Sequence, residues 1–120
     1  MWTWDQSAGE LSRDGQFVSR GYSGRGRGLN NPAMQACVGI GPIPAGRWRL
    51  ISIAADTHTG PFSILIAPEA ATDTHGRSGF RCHGDNARLD RSASHGCIIL
   101  PRTVRKAIWA SGDRALNVVA

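Results

Sequence analysis

Apolar and polar residues alternate from the start of the chain. Trp2-Thr3-Trp4 has the period of a strand with one buried face. Ser7 to Gly9 is a turn, Glu10 to Ser12 returns, and Asp14-Gly15 is a hairpin signal that sends Gln16 to Arg20 back again. The first twenty residues therefore predict a β-meander. Further on, Arg47 to Ile53 reads as a strand after the Pro42-Ile43-Pro44-Ala45-Gly46 turn. Phe62 to Ala67 is a nearly continuous apolar run between Pro61 and Pro68, which predicts a strand covered on both faces. Gly79 to His83 alternates so that Phe80 and Cys82 share one face and Arg81 and His83 the other. Cys82 is expected to pack inward, and His83 to face a cleft.

The period changes only near the end. Ile98-Ile99-Leu100 is a buried run, and Pro101 suits the first turn of a helix. Val104, Ala107, Ile108 and Ser111 follow at helical spacing, Gly112 ends the helix, and Leu116 to Val119 is a last strand. Between the meander and the central strands lies Gly21-Tyr22-Ser23-Gly24-Arg25-Gly26-Arg27-Gly28, continuing through Asn30-Asn31-Pro32. No Gly-Lys-Ser/Thr follows it, which argues against a phosphate cradle. It reads as a surface loop or as a substrate-lining loop whose glycines let backbone approach a ligand. The expectation is a mainly β, single-domain fold over residues 1–120, with one short C-terminal helix.

Composition narrows the function. The 120 residues include 15 Gly and 6 Pro, as a chain of short strands and turns requires. The net charge of +5 comes almost wholly from arginine, Lys106 being the one lysine. That favours an anionic partner, but the arginines are scattered and no nucleic-acid-binding motif is visible, so nucleic acid is not expected. No stretch approaches the length of a membrane span, and no membrane insertion is expected. Met1 to Asp5 lacks the basic and apolar regions of a secretory signal. The expectation is synthesis in the cytoplasm without one, and delivery outside by another route. Cys37, Cys82 and Cys97 are an odd number with no C-x-x-C spacing, so they form no disulfide framework.

The chemistry concentrates in His83-Gly84-Asp85-Asn86 and Ser94-His95-Gly96-Cys97. An ordinary cysteine has a pKa of about 8.5 and is mostly protonated at neutral pH, so a nucleophilic thiol needs a base. His83 and His95 are both candidates. Gly96 permits a sharp turn that presents the sulfur and leaves nearby N–H groups for an oxyanion. His95 either titrates or shapes the turn, and Asp85 either orients an imidazole or holds a loop. His58 and His75 fall in Thr/Gly-rich loops and are expected at the surface, with His75-Gly76-Arg77-Ser78 able to border the cleft.

His83 followed by Ser94-His95-Gly96-Cys97 resembles the active-site signature of the YkuD-type L,D-transpeptidases. The nearest likeness within them is to the small type VI secretion L,D-transpeptidase effectors. It extends over Gly21-Tyr22-Ser23-Gly24, Asn30 to Met34, Gly41-Pro42-Ile43-Pro44, Gly76 to Phe80, His83-Gly84-Asp85, Gly96 to Arg102 and Ile108 to Asp113. Two features depart from the larger enzymes. The spacer between His83 and His95 is eleven residues, and Ile99 and Leu100 stand where Arg and Asn often follow the cysteine. The resemblance implies a YkuD-like β-sandwich or barrel, Cys97 as nucleophile, His83 as base, and further site roles for Ser94, His95 and Asp85. It implies substrate contacts from Tyr22, Ser23, Asn31, Arg77, Ser78 and Arg102, with Arg77 or Arg102 holding a carboxylate. No cofactor or metal is implied. The partners implied are peptidoglycan stem peptides, a cognate immunity protein and a secretion carrier, with action in a target cell's periplasm. Three other readings predict different chemistry: a zinc hydrolase using His83, His95 and Cys97, a wall-binding module without activity, and a basic nucleic-acid binder.

Overall fold

The alternation at the N-terminus does form a meander. In a computed structural model, which describes residues 1–56 and 60–120, β1 (Trp2–Asp5), β2 (Glu10–Arg13) and β3 (Gln16–Arg20) pair antiparallel in sequence. Asp14 and Gly15 both take positive φ, 48° and 83°, as a two-residue hairpin turn of the Asp-Gly type requires. Trp2 and Trp4 point inward from β1 and are buried.

Six more strands complete the sheet: β4 (Tyr22–Ser23), β5 (Gly46–Asp56), β6 (Gly60–Pro68), β7 (Arg81–His83), β8 (Ile98–Ile99) and β9 (Ala115–Val119). Their order is β3-β2-β1-β9-β5-β6-β7-β8-β4. The two outermost strands, β3 and β4, are joined by Gly21 alone. A single residue spans only about 7 Å between its neighbours, so the sheet must curl until its edges nearly meet. The expected mainly β, barrel-like fold with one helix is what the chain adopts.

Inward-facing side chains fill the curled sheet. Trp2, Leu116 and Trp48 form one row across β1, β9 and β5, and Ile64, Cys82 and Ile98 form another across β6, β7 and β8. Cys82 is buried as expected, and the burial pushes its thiol up to about 12. Trp48 meets Phe80 edge-on at 5.1 Å. Among the described residues the one α-helix, α1 (Arg102–Ala110), packs against β6 and β7. No helix among the described residues is long and apolar enough to cross a membrane.

Two expectations are corrected. The buried face of α1 carries Arg105 and Ile108, while Ala107 is exposed. Arg105 is tolerated inside because its guanidinium donates to the carbonyls of Leu100, Pro61 and Phe62. The glycine-rich stretch is not a uniform loop but holds β4 and two short 3-10 turns, Gly26–Gly28 and Pro32–Met34. Gly21, Gly24 and Gly28 admit protein backbone. A Cβ on Gly21 would collide with the Ile99 carbonyl, and one on Gly28 with that of Ile40.

Candidate active site

β7 and β8 run parallel, with Cys82 opposite Ile98 and His83 opposite Ile99. Since Cys82 and Ile98 point into the core, Arg81, His83 and Ile99 point to the other face. Continuing the register one residue back sets Cys97 beside Arg81. A hydrogen bond fixes that juxtaposition, the Arg81 N–H donating to Cys97 Sγ at 3.3 Å. His83 is then the diagonal neighbour of Cys97 on one face, with backbones about 8 Å apart for a strand spacing of about 4.8 Å and a two-residue rise of about 6.6 Å.

The turn before Cys97 is built by two serines with no exposed surface. Ser94 Oγ donates to the Cys97 carbonyl at 2.5 Å and accepts the N–H groups of Gly24 at 2.8 Å and Gly96 at 3.1 Å. Ser23 Oγ donates to the Gly96 carbonyl at 2.8 Å and accepts the Ile43 N–H at 2.9 Å. Gly96 has φ 136°, and a Cβ there would sit 2.5 Å from Arg77 Nη2 and 2.8 Å from Phe80. Only glycine meets both demands. The turn does not leave all its donors to an oxyanion, since the Gly96 N–H is already spent on Ser94.

Arg77 lies beneath this turn and is buried. Its Nη1 donates to the carbonyls of Gln35 and Pro42, and its Nη2 to those of Gly41 and His95. One guanidinium thus ties the 35–42 loop to the turn that carries the thiol. Its charge reaches the sulfur as well. Burial pushes the Cys97 thiol up, while the Arg81 N–H and the charges of Arg81 and Arg77 pull it down, and burial prevails.

The two candidate bases are placed differently. His83 is 5% exposed, and its Nδ1 lies 2.8 Å from the Gly84 carbonyl. A carbonyl only accepts, so Nδ1 is the donor in this contact. His95 is exposed, with Nδ1 3.1 Å from the Gly39 carbonyl. It lines an open cleft of about 320 Å³ with Cys97, Arg77, Ser78, Phe80 and Val38. His83 is not in that lining and stands behind the thiol, in the strand.

The other expected site residues scatter. Ser78 is exposed on the cleft wall. Tyr22 is buried, its hydroxyl donating to Asp85 Oδ1 at 2.7 Å and accepting the Ala93 N–H at 3.2 Å. Burial and the Asp85 carboxylate push its phenol up. The Tyr22–Asp85 hydrogen bond joins the loop after β7 to β4. Tyr22 and Asp85 line a separate hollow of about 230 Å³ with Arg20, Ile99 and Pro101. Asn31 caps a 3-10 turn through Ala33 N and donates to the Arg27 carbonyl. Arg102 is exposed in the first turn of α1, outside the cleft lining. His75 is exposed and turns back on Asp73, and His58 lies outside the described residues.

The sequence matches the family model of the Tlde1 domain over residues 18–119. The chain belongs to the Tlde1 family. This is the type VI secretion L,D-transpeptidase effector family. No curated protein matches the sequence.

In this Tlde1 chain two arginines carry structure that the motifs did not reveal. Arg81 abuts the thiol, and Arg105 props the end of β8 from α1 while its guanidinium packs against Gly84. Alternation in Arg81-Cys82-His83 placed Arg81 on the face of His83, and that was its only signal. Among the described residues no three His, Cys, Asp or Glu side chains gather closely enough to hold a metal ion. The zinc arrangement of His83, His95 and Cys97 is thus not assembled.

Proposed function

We propose that this Tlde1 chain is a cysteine acyl-transferase that acts on the tetrapeptide stems of peptidoglycan, with Cys97 as nucleophile and His83 as its base. The observation that carries the reading is the register of β7 and β8, which sets His83 and Cys97 on one face as diagonal neighbours. In the reaction Cys97 Sγ attacks the carbonyl preceding the terminal D-amino acid and its proton passes to His83 Nε2. The tetrahedral intermediate collapses, the amine leaves with the proton held by His83, and a thioester remains. Water resolves the thioester in a carboxypeptidase cycle, a free D-amino acid in an exchange, and a second stem in a cross-link.

Three features support this assignment. The raised thiol pKa calls for a base. The Gly84 carbonyl accepts from Nδ1 of His83. The cleft opens directly on the sulfur. Ser94 and Ser23 hold the turn, and His95 and Ser78 border the bound stem. As a family member the chain is a type VI effector. We place its action on a rival's wall in the periplasm, with a secretion carrier and a cognate immunity protein as partners.

The test is incubation of the purified protein with disaccharide-tetrapeptides and D-methionine, with Cys97→Ala as control, read by mass spectrometry. Loss or replacement of the terminal D-alanine, absent in the control, is expected. An unchanged muropeptide with folded wild-type protein refutes the reading.

A further inference from the structure

The hollow of about 230 Å³ beside β8 is separate from the cleft that holds Cys97. Tyr22, Ile99, Leu100 and Pro101 give it a largely apolar lining. Two residues of opposite charge complete that lining, Arg20 at the end of β3 and Asp85 in the loop after β7.

These two charges do not pair with each other. Asp85 Oδ1 accepts the Tyr22 hydroxyl at 2.7 Å and the Asn86 N–H at 2.9 Å, which fixes the carboxylate beside the hollow. Its Oδ2 accepts nothing among the described residues. Arg20 Nη2 reaches only Glu10 Oε1 among them, at 3.9 Å, and its side chain is 81% exposed. An exposed ion pair at that distance holds a guanidinium weakly. Both charges are thus open to a ligand that carries the complement of each. An α-amino acid head is the smallest such unit, with ammonium and carboxylate on one carbon. A carboxylate accepts from the ammonium, and a guanidinium fork matches the ligand's carboxylate in two parallel hydrogen bonds.

We propose that this hollow binds the zwitterionic head of an α-amino acid, with Asp85 taking the ammonium and Arg20 the carboxylate. The head belongs either to a free amino acid or to the end of a side chain on a wall peptide. The site stands independently of the acyl-transfer reading, and its place suits that chemistry. Ile99 follows Cys97 by two residues, at most about 7 Å along an extended chain. It lies opposite His83 on β7 and opposite Tyr22 on β4. A head group seated beside it is within one long side chain of the thiol.

The experiment titrates isotope-labelled Cys97→Ala protein and reads backbone amides by NMR. The probes are D-alanine, D-alaninamide, N-acetyl-D-alanine, and two tetrapeptide stems with meso-diaminopimelate or lysine at the third position. A zwitterionic probe is expected to shift Gly21, Tyr22, Ile99 and Leu100. Blocking either of its charges should weaken binding about fivefold, the upper range of a solvent-facing charged contact. Arg20→Gln should remove the preference over the amide. Asp85→Asn, which keeps an acceptor for Tyr22, should remove the preference over the acetylated form. Circular dichroism checks that each variant is folded. Shifts from D-alanine identify a free amino acid as the ligand, and shifts from the diaminopimelate stem alone identify a side-chain head. No shift at these residues from any zwitterionic probe, equal binding of the blocked forms, or preferences that survive both substitutions overturn the proposal. D-alanine release is measured in parallel with Cys97 intact. Its absence, with the shifts and preferences retained, would sink acyl transfer and leave this site standing.

Discussion

The Ser94 hydroxyl donates to the carbonyl of Cys97 at 2.5 Å, three residues along the chain, and in the same position accepts the Gly24 N–H. The turn that carries Cys97 is thus held by a buried side chain. Ser94→Ala leaves two N–H groups and a carbonyl short of a partner in a buried site. Each such group costs about 1–3 kcal/mol, partly recovered by relaxation. We expect a loss of about 2–4 kcal/mol in urea unfolding. An unchanged midpoint would show that the turn holds without Ser94.

Thiol reactivity should separate Cys82 from Cys97. Cys82 is enclosed and its thiol is pushed up to about 12, so it should resist iodoacetamide in the native protein. Cys97 should react, with a rate that climbs as pH rises through a midpoint above the ordinary cysteine value of about 8.5. Burial disfavours the thiolate, which sets that sign. Peptide mapping across a pH series reads both. A Cys97 midpoint below the ordinary value would mean a standing thiolate–imidazolium pair.

Replacing each histidine separates the candidate bases. His83→Gln is expected to lower kcat by about 10²–10⁴, the usual contribution of general acid–base catalysis. His95→Gln, at the exposed rim, should change kcat less than tenfold. The assay is D-alanine release from a tetrapeptide stem, and the opposite ranking would move the base to His95.

Arg77 should behave as a clamp. Lysine has one nitrogen and cannot reach four carbonyls in a plane. Arg77→Lys is expected to destabilise the fold by about 2–3 kcal/mol, in line with lost charge-assisted hydrogen bonds. It should also lower kcat through the turn it supports. A rise in KM alone, at full thermal stability, would return the carboxylate-binding role to Arg77.

Two glycines beside the cleft give a paired control. Gly96→Ala forces a Cβ against Arg77 and Phe80, whereas at Gly76, φ 72°, a Cβ meets nothing within 4 Å. Both substitutions carry the strain of positive φ, about 1–2 kcal/mol. Only Gly96→Ala should abolish turnover. Equal activity in the two variants would mean that the space beside Gly96 is not limiting.

Much of the strand framework was readable because alternation is local. Trp2-Thr3-Trp4 and Phe80 to His83 each announce their faces within a few residues. The helix face was read in part: Ile108 is buried and Val104 packs on the core, but Ala107 is exposed, and Arg105 was missed because it does not look apolar. Its burial depends on three carbonyls contributed by residues 61, 62 and 100, which no local pattern reveals. Gly21 and Gly28 were left open between a surface loop and a substrate-lining loop for the same reason, since the carbonyls they admit come from distant segments.

By itself the sequence determined the strand alternation, the unpaired cysteines and the Ser94-His95-Gly96-Cys97 turn with His83 upstream. Each depends on neighbours within a few positions. Only the tertiary structure decided that β7 and β8 pair in parallel, and hence that His83 and Arg81 flank Cys97. It alone committed Arg77 to backbone and left Arg102 on the helix. Strand register and the partners of a buried guanidinium are set by packing across the whole curled sheet, where a shift of one residue would turn every side chain to the other face.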